Sequence, residues 1–230
     1  MLLTVDGLAK RFGRTAVLRD VRFGIRCNEV LGLIGPNGSG KTTLFECLAG
    51  LLPVDSGEVR FRGRLLPAPR RKEAIFYLPD GIRPWADQPL GWVLRFFGAL
   101  FGRSNGELVR ALNLEALTGT RVGALSKGEA KRLLLALALT APHPALLLDE
   151  PFDGLDFRQA RDAMALLRAI PGSGRTLFLS IHQLADAARV CDRLVLLNEG
   201  RVAGEGTLDE LRARTGLPAA GLEEIFVALT

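Results

Sequence analysis

The sequence has 230 residues, enough to bury a sizeable core in one large domain or two small ones. Apolar residues at 48% and charged residues at 24% sit near globular averages, which excludes a largely disordered chain. The net charge is +5, and 25 of the 30 basic residues are Arg spread along the chain. No basic run reads as a nucleic-acid tail, so no nucleic-acid partner is expected.

In chain order, Leu3, Thr4, Val5 and then Val21 to Ile25 read as short strands. Val30 to Ile34 is a continuous apolar run that stops at Gly35, as a fully buried strand does. A glycine-rich turn and a helical pattern from Lys41 to about Leu51 follow. Gly57 to Phe61 reads as a strand, residues 66–72 as a loop, and Ile75 to Leu78 as a buried strand. Residues 80–126 change character: two prolines and Trp85, then a helical stripe of Trp92, Val93, Phe96, Phe97, Leu100 and Phe101. This stretch reads as a helical insert, with the stripe more in keeping with core than with an interface. Leu133 to Leu139 predicts a buried helix, Ala145 to Leu148 a buried strand, residues 157–170 a helix and Thr176 to Ile181 a strand. Leu194 to Leu197 and Arg201, Val202 predict a hairpin turning at Asn198, Glu199 and Gly200. Helices near 207–215 and 221–229 close the sequence. Strands alternating with helices predict an α/β sheet.

The longest apolar stretch, Leu133 to Leu148, is cut by Pro142, His143 and Pro144, so no membrane-spanning helix is expected. The N-terminal residues lack the basic and apolar regions of a secretory leader. The three scattered cysteines, Cys27, Cys47 and Cys191, suit a reducing cytosol better than a disulfide or zinc framework.

Gly35, Pro36, Asn37, Gly38, Ser39, Gly40, Lys41 and Thr42 fit G-x-x-x-x-G-K-S/T between a strand and a helix, followed by Thr43. Glycines let successive backbone N–H groups curl inward at phosphate oxygens, and the helix N-terminus adds partial positive charge. Lys41 supplies a full charge to the β- and γ-phosphates, and the Thr42 hydroxyl suits Mg²⁺. This pattern alone predicts a P-loop nucleotidase and leaves kinases, GTPases and motor ATPases open. Asp149 and Glu150 end an apolar strand, where the first acid can hold Mg²⁺ through water and the second can take a proton from attacking water. Ser126 and Glu129 have the spacing of a capping box at a helix start. That pattern by itself is a well-capped helix. The same N-terminus also offers N–H groups and a hydroxyl to a phosphate. His182 follows an apolar strand, where α/β sheets carry their ligands.

The order GPNGSGKTT, LSKGE, LLLDEP, GLD and a late single His resembles the nucleotide-binding subunits of ABC transporters, over nearly the whole chain. The resemblance implies one ABC ATPase domain over residues 1–230, α/β, with an N-terminal antiparallel β subdomain. A helical subdomain is inserted at 80–126, and a helical tail covers 205–230. Leu125, Ser126, Lys127, Gly128 and Glu129 resemble the family signature, with Ser126 lying 23 residues before Asp149. Asp153, Gly154, Leu155 and Asp156 resemble the D-loop. His182, 32 residues past Glu150, resembles the switch histidine. Phe12 resembles the aromatic that stacks on adenine, though in a strand–turn region it equally suits the core.

The resemblance implies ATP and Mg²⁺ as ligands and two subunits, identical or sister chains, closing head to tail around two ATP molecules. Each site then uses the P-loop of one chain and Ser126 and Gly128 of the other, with Glu150 and His182 at the γ-phosphate. Separately encoded transmembrane permease subunits are implied as partners, with the chain peripheral on the cytoplasmic membrane face. The tail resembles subunits that pair with ABC-2 type permeases, which points to export. Exposed members of the 92–101 stripe are candidates to receive a coupling helix of that permease.

Two positions depart from the family pattern. Asp80 stands where the Q-loop normally has Gln. An Asp carboxylate is a hard Mg²⁺ ligand, but its side chain is shorter by one methylene, about 1.5 Å. This leaves direct metal binding, binding through water or none, and it motivates the alternative of a nucleotide-gated regulator that hydrolyses weakly. Glu129 replaces the usual signature Gln at little expected cost, because Glu suits a first helical turn.

Overall fold

A computed structural model describes residues 1–230. One sheet is antiparallel, in the order β2-β1-β4-β5, from Leu3–Phe12 (β1), Thr15–Ile25 (β2), Ser56–Phe61 (β4) and Arg64–Leu65 (β5). The other has the order β10-β9-β3-β8-β7-β6. Its strands are Val30–Ile34 (β3), Ile75–Leu78 (β6), Ala145–Asp149 (β7), Thr176–Ser180 (β8), Arg193–Asn198 (β9) and Arg201–Gly206 (β10). β3, β6, β7, β8 and β9 run parallel, and β10 pairs antiparallel at the edge through the expected hairpin. The fold is the expected α/β class with an N-terminal antiparallel sheet.

The first two strands run longer than the sequence suggested. Register shifts between Val5 and Leu8 mark a bulge at Gly7, whose φ is +66°. A bulge interrupts the period-two alternation by which a strand is recognised. Gly57 passes so close that a Cβ there would strike the Gly7 carbonyl.

The central strands are buried on both faces, and alternation assigns their side chains to two cores. Leu31, Leu33, Leu147, Phe178, Val195 and Leu197 join the core formed with β1, β2 and helix α1 (Lys41–Ala49). Val30, Ile34, Leu146, Leu148, Leu177, Leu179, Leu194 and Leu196 face the opposite core. That second core is filled by α4 (Lys127–Thr140), α5 (Phe157–Ala169), α6 (Leu184–Val190) and by Leu211, Leu222 and Ile225 of the tail helices. α2 (Leu90–Phe101) and α3 (Gly106–Ala111) precede α4, and the tail comprises α7 (Leu208–Thr215) and α8 (Leu222–Leu229).

The stripe on α2 divides. Leu90, Val93 and Leu94 are buried in the α4 core, whereas Trp92, Phe96 and Leu100 are 36%, 40% and 61% exposed. Positions 92, 96 and 100 follow an i, i+4 line one step round the helix from the buried residues. The stripe, expected to be more core than interface, is therefore core at Val93 and exposed at these three. Trp92 stacks on Phe96 with centroids 5.3 Å apart, and Trp85 meets both rings edge-on. No helix is long and apolar enough to cross a membrane.

Candidate active site

β3 delivers the chain at Ile34 to a loop that turns directly into α1. A Cβ on Gly35 would strike the Leu197 carbonyl and the Ser39 hydroxyl, so the loop crosses β9 only as glycine. Gly38 and Gly40 hold φ +80° and +104°, left-handed values that glycine adopts without steric cost. Gly40, as N-cap, makes no side-chain cap bond. The first N–H groups of α1 thus face outward with the positive end of the helix dipole.

These elements frame a cavity of about 440 Å³. Asn37, Gly38, Gly40, Lys41, Thr42 and Thr43 line it from the P-loop side, and Asp80, Asp149, Glu150 and His182 from the strand ends. Val17 is its one apolar wall. Gly35, Pro36 and Ser39 shape the loop from behind and do not line it. Lys41 Nζ donates to the Gly35 carbonyl at 2.8 Å and to that of Pro36 at 3.2 Å. Burial lowers the Lys41 pKa, opposed by the charges of Glu150 and Asp149.

Asp149 is 4% exposed and held on both oxygens. Oδ2 accepts from Thr42 Oγ1 at 3.0 Å and from the Tyr77 hydroxyl at 3.4 Å, while Oδ1 accepts from Ser180 Oγ. Burial, reinforced by the Asp149 charge, pushes the Tyr77 pKa up and keeps its hydroxyl a donor. Glu150 sits at φ +48°, in the left-handed region that costs a non-glycine residue on the order of 1–2 kcal/mol. Its N–H donates to Ser180 Oγ at 3.0 Å, and its carbonyl accepts from Lys131 Nζ at 2.8 Å. The Glu150 carboxyl is pushed up to about 7, mainly by burial and further by Asp149, with Lys41 opposing. A carboxylate in that range accepts a proton well near neutral pH. Its Oε1 lies 3.8 Å from His182 Nε2.

Thr42 and Asp149 offer hard oxygen donors on one side of the cavity. No group of three or more acidic, His or Cys side chains gathers as a metal cage. The donor set fits an Mg²⁺ ion completed by phosphate oxygens and water, the form in which that ion accompanies nucleotides.

Leu125, Ser126, Lys127, Gly128 and Glu129 do not line this cavity. Ser126 caps α4: its Oγ accepts from the Glu129 N–H at 3.3 Å, and Glu129 Oε2 accepts from the Ser126 N–H at 2.8 Å. Glu129 thus supplies the carboxylate half of the reciprocal cap. The next loop packs on the same helix end. Lys127 Nζ meets Asp153 Oδ2 at 2.7 Å, and the Lys127 stem lies against Gly154, where φ is +81°. A Cβ on Gly128 would sit 2.9 Å from the Gly154 carbonyl oxygen. Leu155 follows, and Asp156 caps α5 through the Gln159 N–H at 2.8 Å.

Phe12 ends β1 with its ring 49% exposed and the Lys10 ammonium 5.3 Å from its centroid. It is in neither core and does not line the cavity. Sequence reasoning missed Tyr77, Ser180 and Lys131. Ser180 was visible as the polar residue ending an apolar strand two places before His182. Lys131 was visible as a basic residue in a helix whose following turns are almost wholly apolar.

Residues 18–153 match the family described as ABC transporter. The chain is 34% identical over 222 residues to a Nod factor export ATP-binding protein of Ralstonia nicotianae, spanning 91% of this chain and 68% of that one. It is 38% identical over 217 residues to an Fe(3+) ions import ATP-binding protein of Streptomyces coelicolor, spanning 90% and 62% respectively. A solved structure of the ATP binding subunit of an ABC transporter is similar over 100% of this chain and 99% of that chain. The TM-score is 0.90 at 31% identity.

Proposed function

The chain belongs to the ABC transporter family as an ATP-binding, ATP-hydrolysing subunit, and from that premise we propose how its residues do that work. Two copies close head to tail, so that each ATP lies on the P-loop of one chain and under Ser126 and Gly128 of the other. The observation that carries this is the split just described. P-loop, Asp149, Glu150 and His182 share one cavity, while the signature residues, fully formed on α4, lie outside it. The Ser126 Oγ accepts a backbone N–H and keeps its own proton to donate to a phosphate oxygen of the partner's nucleotide.

Within one site, Lys41 and the outward N–H groups of α1 hold the β- and γ-phosphates. Thr42 and Asp149 hold Mg²⁺, which supplies neutralisation of phosphate charge when bound. Glu150 accepts a proton from water as the water oxygen bonds to the γ-phosphorus. The bond from that phosphorus to the bridging oxygen breaks, and ADP leaves with the electron pair. His182 contacts the γ-phosphate from beside Glu150. Phe12, exposed at the β1–β2 turn, offers a face to adenine, and Val17 an apolar edge.

Closure and opening drive a separate membrane permease. Residues 80–126 form the helical unit that meets it, and the exposed Trp85, Trp92 and Phe96 receive its coupling helix. The subunit is then peripheral on the cytoplasmic membrane face. We assign export through an ABC-2 type permease, supported by the tail over 205–230 and by similarity to the Nod factor export protein. The chain is similar over 90% of its length to an iron import protein as well, so the assignment of direction rests on the tail.

The test is Glu150→Gln. Purified variant should hydrolyse Mg-ATP at least about 100-fold more slowly and elute as an ATP-stabilised dimer, because the amide cannot accept the proton. Turnover at the parental rate would remove Glu150 from the chemistry.

A further inference from the structure

Lys131 lies in the second turn of α4, the helix that carries the signature at its start. It is 4% exposed, in a helix whose neighbouring turns are buried leucine and alanine. A charged group that deep is retained only with partners. It has two. Nζ lies 2.6 Å from Asp80 Oδ1 and 2.8 Å from the Glu150 carbonyl oxygen. One ammonium therefore ties α4 to the loop after β6 and to the end of β7.

The Glu150 backbone needs such a tie. It is a non-glycine residue at φ +48°, and the following residue is Pro151. A residue before proline is pushed by the ring toward extended conformations. Left alone, the chain there relaxes away from the left-handed region, and the carboxylate swings with it. Two side chains hold it. Ser180 accepts from the N–H, and Lys131 donates to the carbonyl. Asp80 is 39% exposed at its side chain and supplies the counter-charge that allows the ammonium to stay buried.

We propose that Lys131 is a positioning residue for Glu150, and that Asp80 is the anchor of Lys131 and not a metal ligand. This rests on Glu150 as the proton acceptor. Asp80 gives the buried ammonium both a hydrogen-bond acceptor and a counter-charge, whereas a neutral amide at the same place supplies the acceptor alone.

The experiment combines steady-state kinetics with metal titration. Lys131→Met should lower kcat by about 30-fold with KM within about twofold, since Lys131 reaches the geometry of the base and not the nucleotide. Lys131→Arg, which keeps charge and donors, should recover kcat to within about threefold of the parent. Asp80→Asn leaves an acceptor and should cost about threefold in kcat. Combined with Lys131→Met it should add nothing further, because both act through one link. Mn²⁺ titrated into the Asp80→Asn protein with ADP bound, so that no turnover intervenes, should bind within about twofold of the parental affinity. That titration stands whether or not Lys131→Met folds, which thermal melting reports. Parental kcat in Lys131→Met, additive effects, or a tenfold or greater loss of Mn²⁺ affinity in Asp80→Asn would overturn the proposal. If Glu150→Gln is inactive and Lys131→Met is normal, only the Lys131 assignment fails. If Glu150→Gln turns over at the parental rate, the assignment of the base itself fails.

Discussion

The P-loop face and the signature face both present the N-terminus of a helix, and they finish it in opposite ways. α1 begins at Gly40 with no side-chain cap, so its first N–H groups have no intramolecular acceptor. α4 begins at Ser126 with a complete capping box, which satisfies the Ser126 and Glu129 N–H groups within the chain. An uncapped helix start beside Lys41 is an anion site that gains its partner only on binding. A capped start is stable alone, and in the dimer proposed above it contributes a hydroxyl proton and a small residue to the partner's nucleotide. In that proposal the first half binds and the second half completes.

Lys41→Ala strikes the binding half and has the larger expected effect. It should weaken Mg-ATP binding by about 30-fold, roughly 2 kcal/mol for charged hydrogen bonds to phosphate, measured by isothermal titration. An unchanged affinity would break the distinction at its root. Ser126→Ala strikes the completing half. Nucleotide affinity of the isolated chain should stay within about twofold, while turnover falls by about tenfold. The lost cap should also cost about 1 kcal/mol, a fall in Tm of roughly 2–4 °C. Loss of nucleotide binding in this variant would mean that the two faces are not separate.

Much of this was legible in the sequence where local rules and tertiary structure agree. The run Val30 to Ile34, the glycines after it and Lys41 gave strand, loop and helix in their places, because each glycine answers a specific close approach or left-handed φ. The capping residue Ser126 marked a helix start by the same local chemistry. Legibility failed where side chains meet across distant elements. Ser180 bridges Asp149 and the Glu150 N–H from a neighbouring strand. Lys131 reaches Asp80, 51 positions away, and no periodicity records such a pair. Asp80 read alone was a candidate metal ligand, and beside Lys131 it is half of an ion pair. The α2 stripe failed differently. Its aromatic residues fit a helix but wrap further round it than the core reaches, so pattern alone did not separate Val93 from Trp92.

A nucleotide shared between the P-loop of one chain and the signature of another brings position 37 of the first chain near position 127 of the second, and cross-linking reads that proximity. One batch carries Asn37→Cys and another Lys127→Cys, both with Glu150→Gln to hold ATP and Cys27→Ser to remove the exposed native thiol. Mixed and treated with a short bismaleimide, they should form a two-chain adduct joining positions 37 and 127, with Mg-ATP and not with Mg-ADP. Adducts confined to single chains, or a two-chain yield indifferent to which nucleotide is present, would contradict it.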